Sequence, residues 1–234
     1  MKPIVQDVYL LDGLRMGNVY LLLSDGGLTL VDAAMAGDGA RIVAQIEGSG
    51  YDPASLRSVV VTHAHPDHVG GLPELVRRFD PEVIAHRAEV PYVEGTASLP
   101  AGSALQRAAQ WLGGLLPRRG SGIEVARALE EGDRLDVLGG LEALHTPGHT
   151  PGSLCLFQRE RGILFCGDLL INGNPLSGRG GLRYGPWAFS VDPQQLKQSA
   201  RRLLDLPIEV LCTGHGAPLM DSVREKLARL LQGG

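Results

Sequence analysis

Residues 63 to 68 read His63-Ala64-His65-Pro66-Asp67-His68, so three of the chain's seven histidines and one carboxylate fall within a single turn of backbone. Imidazole and carboxylate bind zinc, and equally iron or manganese; the string alone does not choose among them. His63 and His65, two apart in extended backbone, point the same way. Pro66 then turns the chain so that Asp67 and His68 face a second point nearby, and two metal positions fit this spacing better than one. A closed structural zinc site is the bland alternative. Such sites usually take four cysteine or histidine ligands, whereas this chain has three cysteines, Cys155, Cys166 and Cys212, and no CxxC pair.

The elements that must position this string are legible around it. Arg57 to Thr62 is a β-branched run of strand length, and Gly70-Gly71 followed by Leu72 to Val76 reads as a loop opening a helix. Upstream, Val5 to Leu11, Asn18 to Leu23 and Gly27 to Val31 read as strands, the last two joined by a turn at Ser24-Asp25-Gly26-Gly27. Ile42, Val43 and Ile46 recur at helical spacing before Gly48 to Gly50 ends that helix. Downstream, Glu82 to His86, Arg134 to Leu138, Leu141 to His145, Ser153 to Phe157, Gly162 to Cys166 and Ile208 to Cys212 carry the strand pattern. Helices are expected over Pro193 to Leu204 and Asp221 to Leu231. Grouped strands with helices between them argue an α/β layered domain.

Three later strands end in further candidate ligands. The corner from Leu144 to Gly152 is rich in glycine and proline and exposes His149 between two strands. Asp168 closes Phe165-Cys166-Gly167-Asp168, and His215 stands between Gly214 and Gly216 after the last strand, where backbone can approach an ion closely. A lone strand-end histidine is more often a satisfied polar residue than a ligand. Several such placements in one chain reverse that expectation.

Composition bounds the rest. At 234 residues and 44% hydrophobic content the chain can bury a sizeable core, and one domain over 1–234 suits the length. Net charge is -4, with no basic run longer than Arg77-Arg78, Arg118-Arg119 or Arg201-Arg202, so no nucleic-acid footprint is expected. Neither a signal peptide nor a membrane span is visible. Scattered cysteines give no disulfide framework, which makes a cytoplasmic, reducing compartment the default.

In order and spacing, Asp32, the HxHxDH string, His149, Asp168 and His215 resemble the motif series of the metallo-β-lactamase superfamily, over roughly residues 5 to 218. The resemblance implies a four-layer αββα sandwich of two mixed β-sheets flanked by helices, with metals at one edge. It also implies that His63, His65 and His149 hold one metal, that Asp67, His68 and His215 hold a second, and that Asp168 bridges them. Asp32 matches a family acid that supports the HxHxDH loop from behind.

Two divalent ions, zinc being the leading choice, bring more positive charge than two aspartates remove, so a bridging water becomes a hydroxide nucleophile near neutral pH. Asp67 is the candidate catalytic residue, able to orient that hydroxide or carry a proton to the leaving group. The expected activity is hydrolysis of a small ester, thioester or lactone. The rivals are a mononuclear iron oxygenase of the persulfide dioxygenase type, using a set such as His63, His149 and Asp168, and a phosphodiesterase on the same fold. Glyoxalase II and persulfide dioxygenases usually carry a Gly-Cys-Gly-Arg type segment after the bridging aspartate, and Gly173-Asn174-Pro175 does not match it. The stretch after His215 is too short for glyoxalase II's helical substrate domain, and His65 stands where flavodiiron proteins have glutamate.

Other polar residues carry less. His86 reads as rim or core polarity, His145 as support for the His149 loop, and Cys166 as a small buried residue facing the core. Specificity for a small-molecule substrate is expected from two irregular segments. A helical insertion at about 91–125, with an apolar stripe over 104–112, is a substrate cap, a homodimer contact or a core-packing helix; periodicity does not separate these. The stretch 172–188 reads as a long loop carrying Arg183, Tyr184 and Trp187 as candidate substrate-binding residues.

Overall fold

The computed structural model describes residues 1–102, 122–173 and 180–232. Its first sheet starts as an antiparallel meander of β1 (Lys2–Val5), β2 (Val8–Leu10), β3 (Tyr20–Ser24) and β4 (Gly27–Val31). The Ser24 and Gly27 pairing leaves Asp25-Gly26 as the two-residue turn. After helix α1 (Gly39–Gly48), β5 (Leu56–Val61) joins β4 in parallel. The short helix α2 (Pro66–Val69) and helix α3 (Leu72–Phe79) lead to β6 (Glu82–His86), and helix α4 (Val90–Val93) precedes β7 (Arg127–Leu129). β6 and β7 extend the parallel half, so the strand order β1 to β7 follows the sequence.

The second sheet is built from β8 (Arg134–Leu135), β9 (Leu141–His145), β10 (Leu154–Gln158) and β11 (Ile163–Phe165), all antiparallel neighbours. A separate hairpin, β12 (Leu170–Asn172) with β13 (Leu182–Tyr184), comes next. Helix α5 (Pro193–Arg201) then leads to β14 (Val210–Cys212), parallel to β11, and helix α6 (Val223–Gln232) follows.

Side-chain alternation dictates the layering. On β5, Val60 enters a core shared by both sheets, while Val59 and Val61 enter a second core with Ile42 and Ile46 of α1 and Leu72 and Leu75 of α3. On β10, Leu154 and Leu156 face the shared core; Cys155 and Phe157 face Leu196 and Ala200 of α5 and Leu227 and Leu231 of α6. The order is therefore helix, sheet, sheet, helix, the expected αββα sandwich. Both faces of β5 and β10 are buried, which is why they read as continuous apolar runs rather than alternating ones.

Two expectations need correction, and one strand was not foreseen. The run Val5 to Leu11 is not one strand: Asp7 takes a left-handed φ of 62° and folds β1 back on β2. Arg127–Leu129 is an edge strand that the sequence pattern missed, since only three residues pair and just one is fully buried. The stretch 172–188 is not a plain loop, because Asn172 and residues 182–184 belong to the β12–β13 hairpin and Trp187–Phe189 forms a 3-10 turn. The apolar stripe over 104–112 lies outside the described residues.

Candidate metal centre

The site sits where parallel strands end. β4 and β5 run side by side and release Asp32 and the HxHxDH string at the same edge, and β11 and β14 do the same for Asp168 and His215. Thr62 C=O accepts from Leu154 N–H at 2.9 Å, so the two sheets are joined at this edge. His149 arrives from the β9–β10 connection. Residues 213–216 are held against the first sheet by Asn18, whose side-chain amide donates to Thr213 and Gly216 C=O at 2.8 and 2.7 Å, and by the Tyr20 hydroxyl on Thr213 C=O. A Cβ on Gly214 would collide with Asp168 Oδ1, so glycine is required for that turn to lie against the carboxylate.

All seven expected ligands converge. Donor atoms of His63, His65 and His149 lie within 4.8 Å of one another, as do those of Asp67, His68 and His215, and those of His63, His68 and Asp168. His65 Nδ1 and His149 Nε2 are 3.0 Å apart, close to the about 3.3 Å that two nitrogens keep on a tetrahedral zinc. Asp168 Oδ2 is 3.6 Å from His149 Nε2 and 3.2 Å from His215 Nε2, so it stands beside both groups. His63 Nε2, His68 Nε2 and Asp168 Oδ1 are buried with no hydrogen-bond partner among the described residues. Buried polar atoms rarely go unpaired, and these three all point into the cluster. The donor set fits divalent metal ions.

The surroundings fix which nitrogen is free. Asp32, at φ 65°, accepts from Thr62 N–H (2.7 Å), Thr62 Oγ1 (2.8 Å) and His68 Nδ1 (2.8 Å). With its proton given to Asp32, Thr62 Oγ1 accepts from His63 Nδ1 at 3.1 Å. Likewise Ser190 Oγ donates to Pro186 C=O and accepts from His149 Nδ1, both at 3.0 Å. In their neutral forms His63, His68 and His149 thus carry the proton on Nδ1 and leave a bare Nε2 facing inward.

Without metal the cluster is electrostatically divided. Burial pushes His63 and His65 below the ordinary imidazole range, and His149 down to about 3. Burial would lower His68 and His215 as well, but Asp32 and Asp168 lift His68 to about 9, and hydrogen bonds to Asp168 and Asp67 lift His215 to about 10. Burial opposes ionisation of Asp67 and Asp168, yet the hydrogen bond to His215 and the charge on His68 outweigh it and lower both.

The remaining residues fall mostly as expected. His86 is stacked on His145 at 3.8 Å and accepts from Ala88 N–H, away from the cluster. His145 Nε2 donates to Pro151 C=O at 2.9 Å and so supports the His149 loop. Cys166 is buried in the core under α5 and α6. Arg183, Tyr184 and Trp187 line a cavity of about 430 Å³ with Ile171, Pro186, Leu196 and Lys197. Sequence reasoning missed Glu89 altogether. It is fully buried, and it accepts from backbone on both sides of the histidine cluster. A lone acid in a short turn gives no sequence signal of that.

Two mixed sheets back to back, with paired imidazole and carboxylate groups at one edge, describe a metallo-hydrolase. The model of the metallo-beta-lactamase superfamily matches residues 12–215, and the chain belongs to that superfamily. Among curated relatives it is 29% identical over 217 residues to the probable metallo-hydrolase YflN of Bacillus subtilis, covering 88% of this chain and 82% of that protein. It is 33% identical over 216 residues to the probable metallo-hydrolase YqgX of the same organism, covering 89% of each. Among solved structures, a metallo-beta-lactamase family protein from Thermus thermophilus superposes with a TM-score of 0.73 at 25% identity, covering 99% of this chain and 80% of that one. BJP-1, a subclass B3 metallo-beta-lactamase of Bradyrhizobium japonicum, shares the fold at 22% identity, with a TM-score of 0.70 over 99% of this chain and 90% of that one. Among the described residues no helix is long and apolar enough to cross a membrane.

Proposed function

We propose that this metallo-hydrolase is a dinuclear zinc enzyme that cleaves a small ester, thioester or lactone. The observation that carries the reading is that seven donors form two groups with Asp168 beside both. His63, His65 and His149 would hold one ion, Asp67, His68 and His215 the other, and Asp168 both. When bound, such a pair acidifies water and polarises a carbonyl or phosphoryl oxygen.

The chain's own residues have distinct tasks in this reading. Asp168 is only 6% exposed and holds position, whereas the Asp67 side chain is 18% exposed and reaches the open side of the cluster. Asp67 is therefore the carboxylate able to take a proton from attacking water and deliver it to the leaving oxygen or sulfur. The cavity beside Arg183, Tyr184 and Trp187 receives the non-reacting part of the substrate. Its wall residue Pro186 is linked through Ser190 to His149, and the buried Tyr184 hydroxyl there has no hydrogen-bond partner among the described residues.

Elemental analysis should give close to two zinc ions per chain, with turnover in an ester, thioester and lactone panel that Asp67→Asn slows sharply. One tightly held iron per chain with oxygen consumption overturns the proposal in favour of the persulfide dioxygenase type. Turnover of phosphodiesters alone moves it to phosphodiesterase.

A further inference from the structure

Glu89 is a fully buried carboxylate that belongs to neither donor group. It ends the 3-10 turn Arg87–Glu89 that follows β6. Its Oε1 accepts from Ala64 N–H at 2.8 Å and its Oε2 from Gly152 N–H at 2.7 Å. The positions of these donors matter. Ala64 stands between His63 and His65, and Gly152 belongs to the turn that carries His149. One side chain thus ties together the two backbone segments that bear all three imidazoles of the first group.

The approach is built in. A Cβ on Gly152 would collide with Glu89 N and sit 2.7 Å from Glu89 Cβ, so glycine lets the two segments close on the carboxylate. The second group is anchored separately, by Asp32 on His68 and by Asn18 and Tyr20 on the turn holding His215. We propose that Glu89 is a positioning residue that fixes the separation of His63 and His65 from His149 and so sets the affinity of the first metal. This rests on the two-metal reading above.

A carboxylate is needed because both oxygens accept. Glutamine has the same size but presents one acceptor and one donor, so an N–H of Ala64 or of Gly152 would face another N–H. The test is zinc titration of chelator-stripped protein against a chromophoric competitor, in wild type and Glu89→Gln, alongside thermal unfolding of the metal-free forms. Removing a group behind a metal ligand costs about 10- to 100-fold in affinity; that loss is expected at one site, with the other within about twofold. Wild-type affinities at both sites, or equal weakening of both, overturn the proposal. Should Glu89→Gln fail to fold, Gly152→Ala displaces the same carboxylate and is judged by the same criteria. If wild type binds a single zinc, the two-metal reading fails, and Glu89→Gln leaving that one affinity unchanged would sink the present proposal separately.

Discussion

Asp32→Asn is the most discriminating perturbation, because three donors meet two oxygens there and an amide can serve only one side. If the new NH2 group takes the place of Oδ1, it faces Thr62 N–H and leaves a buried donor unpaired. If it takes the place of Oδ2, His68 Nδ1–H loses its acceptor; the ring then recovers a partner only by moving its proton to Nε2, the nitrogen that faces the metal cluster. Either outcome costs about 1–3 kcal/mol, the penalty of one unsatisfied buried group. At about 1.4 kcal/mol per tenfold, that is about 5- to 150-fold in zinc affinity if the loss falls on His68. If it falls instead on Thr62, it appears as a thermal shift of about 2–4 °C per kcal/mol for a chain of this size. Zinc competition and thermal unfolding, run together, capture both. Asp32→Asn with unchanged affinities and an unchanged Tm would refute the assignment of Asp32 as the acceptor that sets the His68 tautomer.

Other outcomes follow from the same geometry. In metal-free protein, His68 and His215, raised to about 9 and 10, bind protons that the unfolded chain releases above pH ~6.5, so their stabilisation is lost as pH rises through those values. The lowered His63, His65 and His149 act in the opposite sense below pH ~6.5. Thermal stability without metal should therefore peak near the free imidazole pKa, and a flat profile from pH 6 to 10 would contradict the cluster's electrostatics. Asp168→Ala should retain about one zinc per chain and lose activity by roughly a hundredfold or more, beyond what outer supports cost; two zinc ions at wild-type affinity would count against its shared position. Burial raises the thiols of Cys155, Cys166 and Cys212, Cys155 to about 12. A thiol reagent should accordingly label none of them in native protein, and fast labelling of any one would show that its core opens.

The candidate metal residues were legible because most are short-range events, a polar residue placed where an apolar run stops. His63, Asp168 and His215 follow Val59-Val60-Val61, Ile163-Leu164-Phe165 and Val210-Leu211-Cys212 closely, and such boundaries show in one dimension. Layering was legible for a similar reason, since runs buried on both faces call for helices outside them. What escaped depends on distance in space. Glu89 acquires its role only when β6 lies beside β5 and brings it to Ala64, while Gly152 arrives from the other sheet. The turn at Asp7 was hidden because Gln6-Asp7 interrupts the apolar residues for only two positions and carries neither glycine nor proline to mark a reversal. The β12–β13 hairpin was hidden because each strand pairs over only three residues, too few for a period to register.

The donors come from both sheets, and elsewhere those sheets meet through an apolar seam typified by Tyr20 against Phe165, rings 5.4 Å apart. An ion held at that edge is a removable rivet between two halves of the molecule. A ligand present at a thousand times its dissociation constant adds about 4 kcal/mol to folding, and shifts of about 1–2 kcal/mol already change cellular abundance several-fold. Metal supply would then govern how long each copy of the chain survives as well as how fast it works. Pulse-chase in zinc-replete and chelator-treated cells should show shorter persistence under starvation, and equal lifetimes would mean that the seam holds without its rivet.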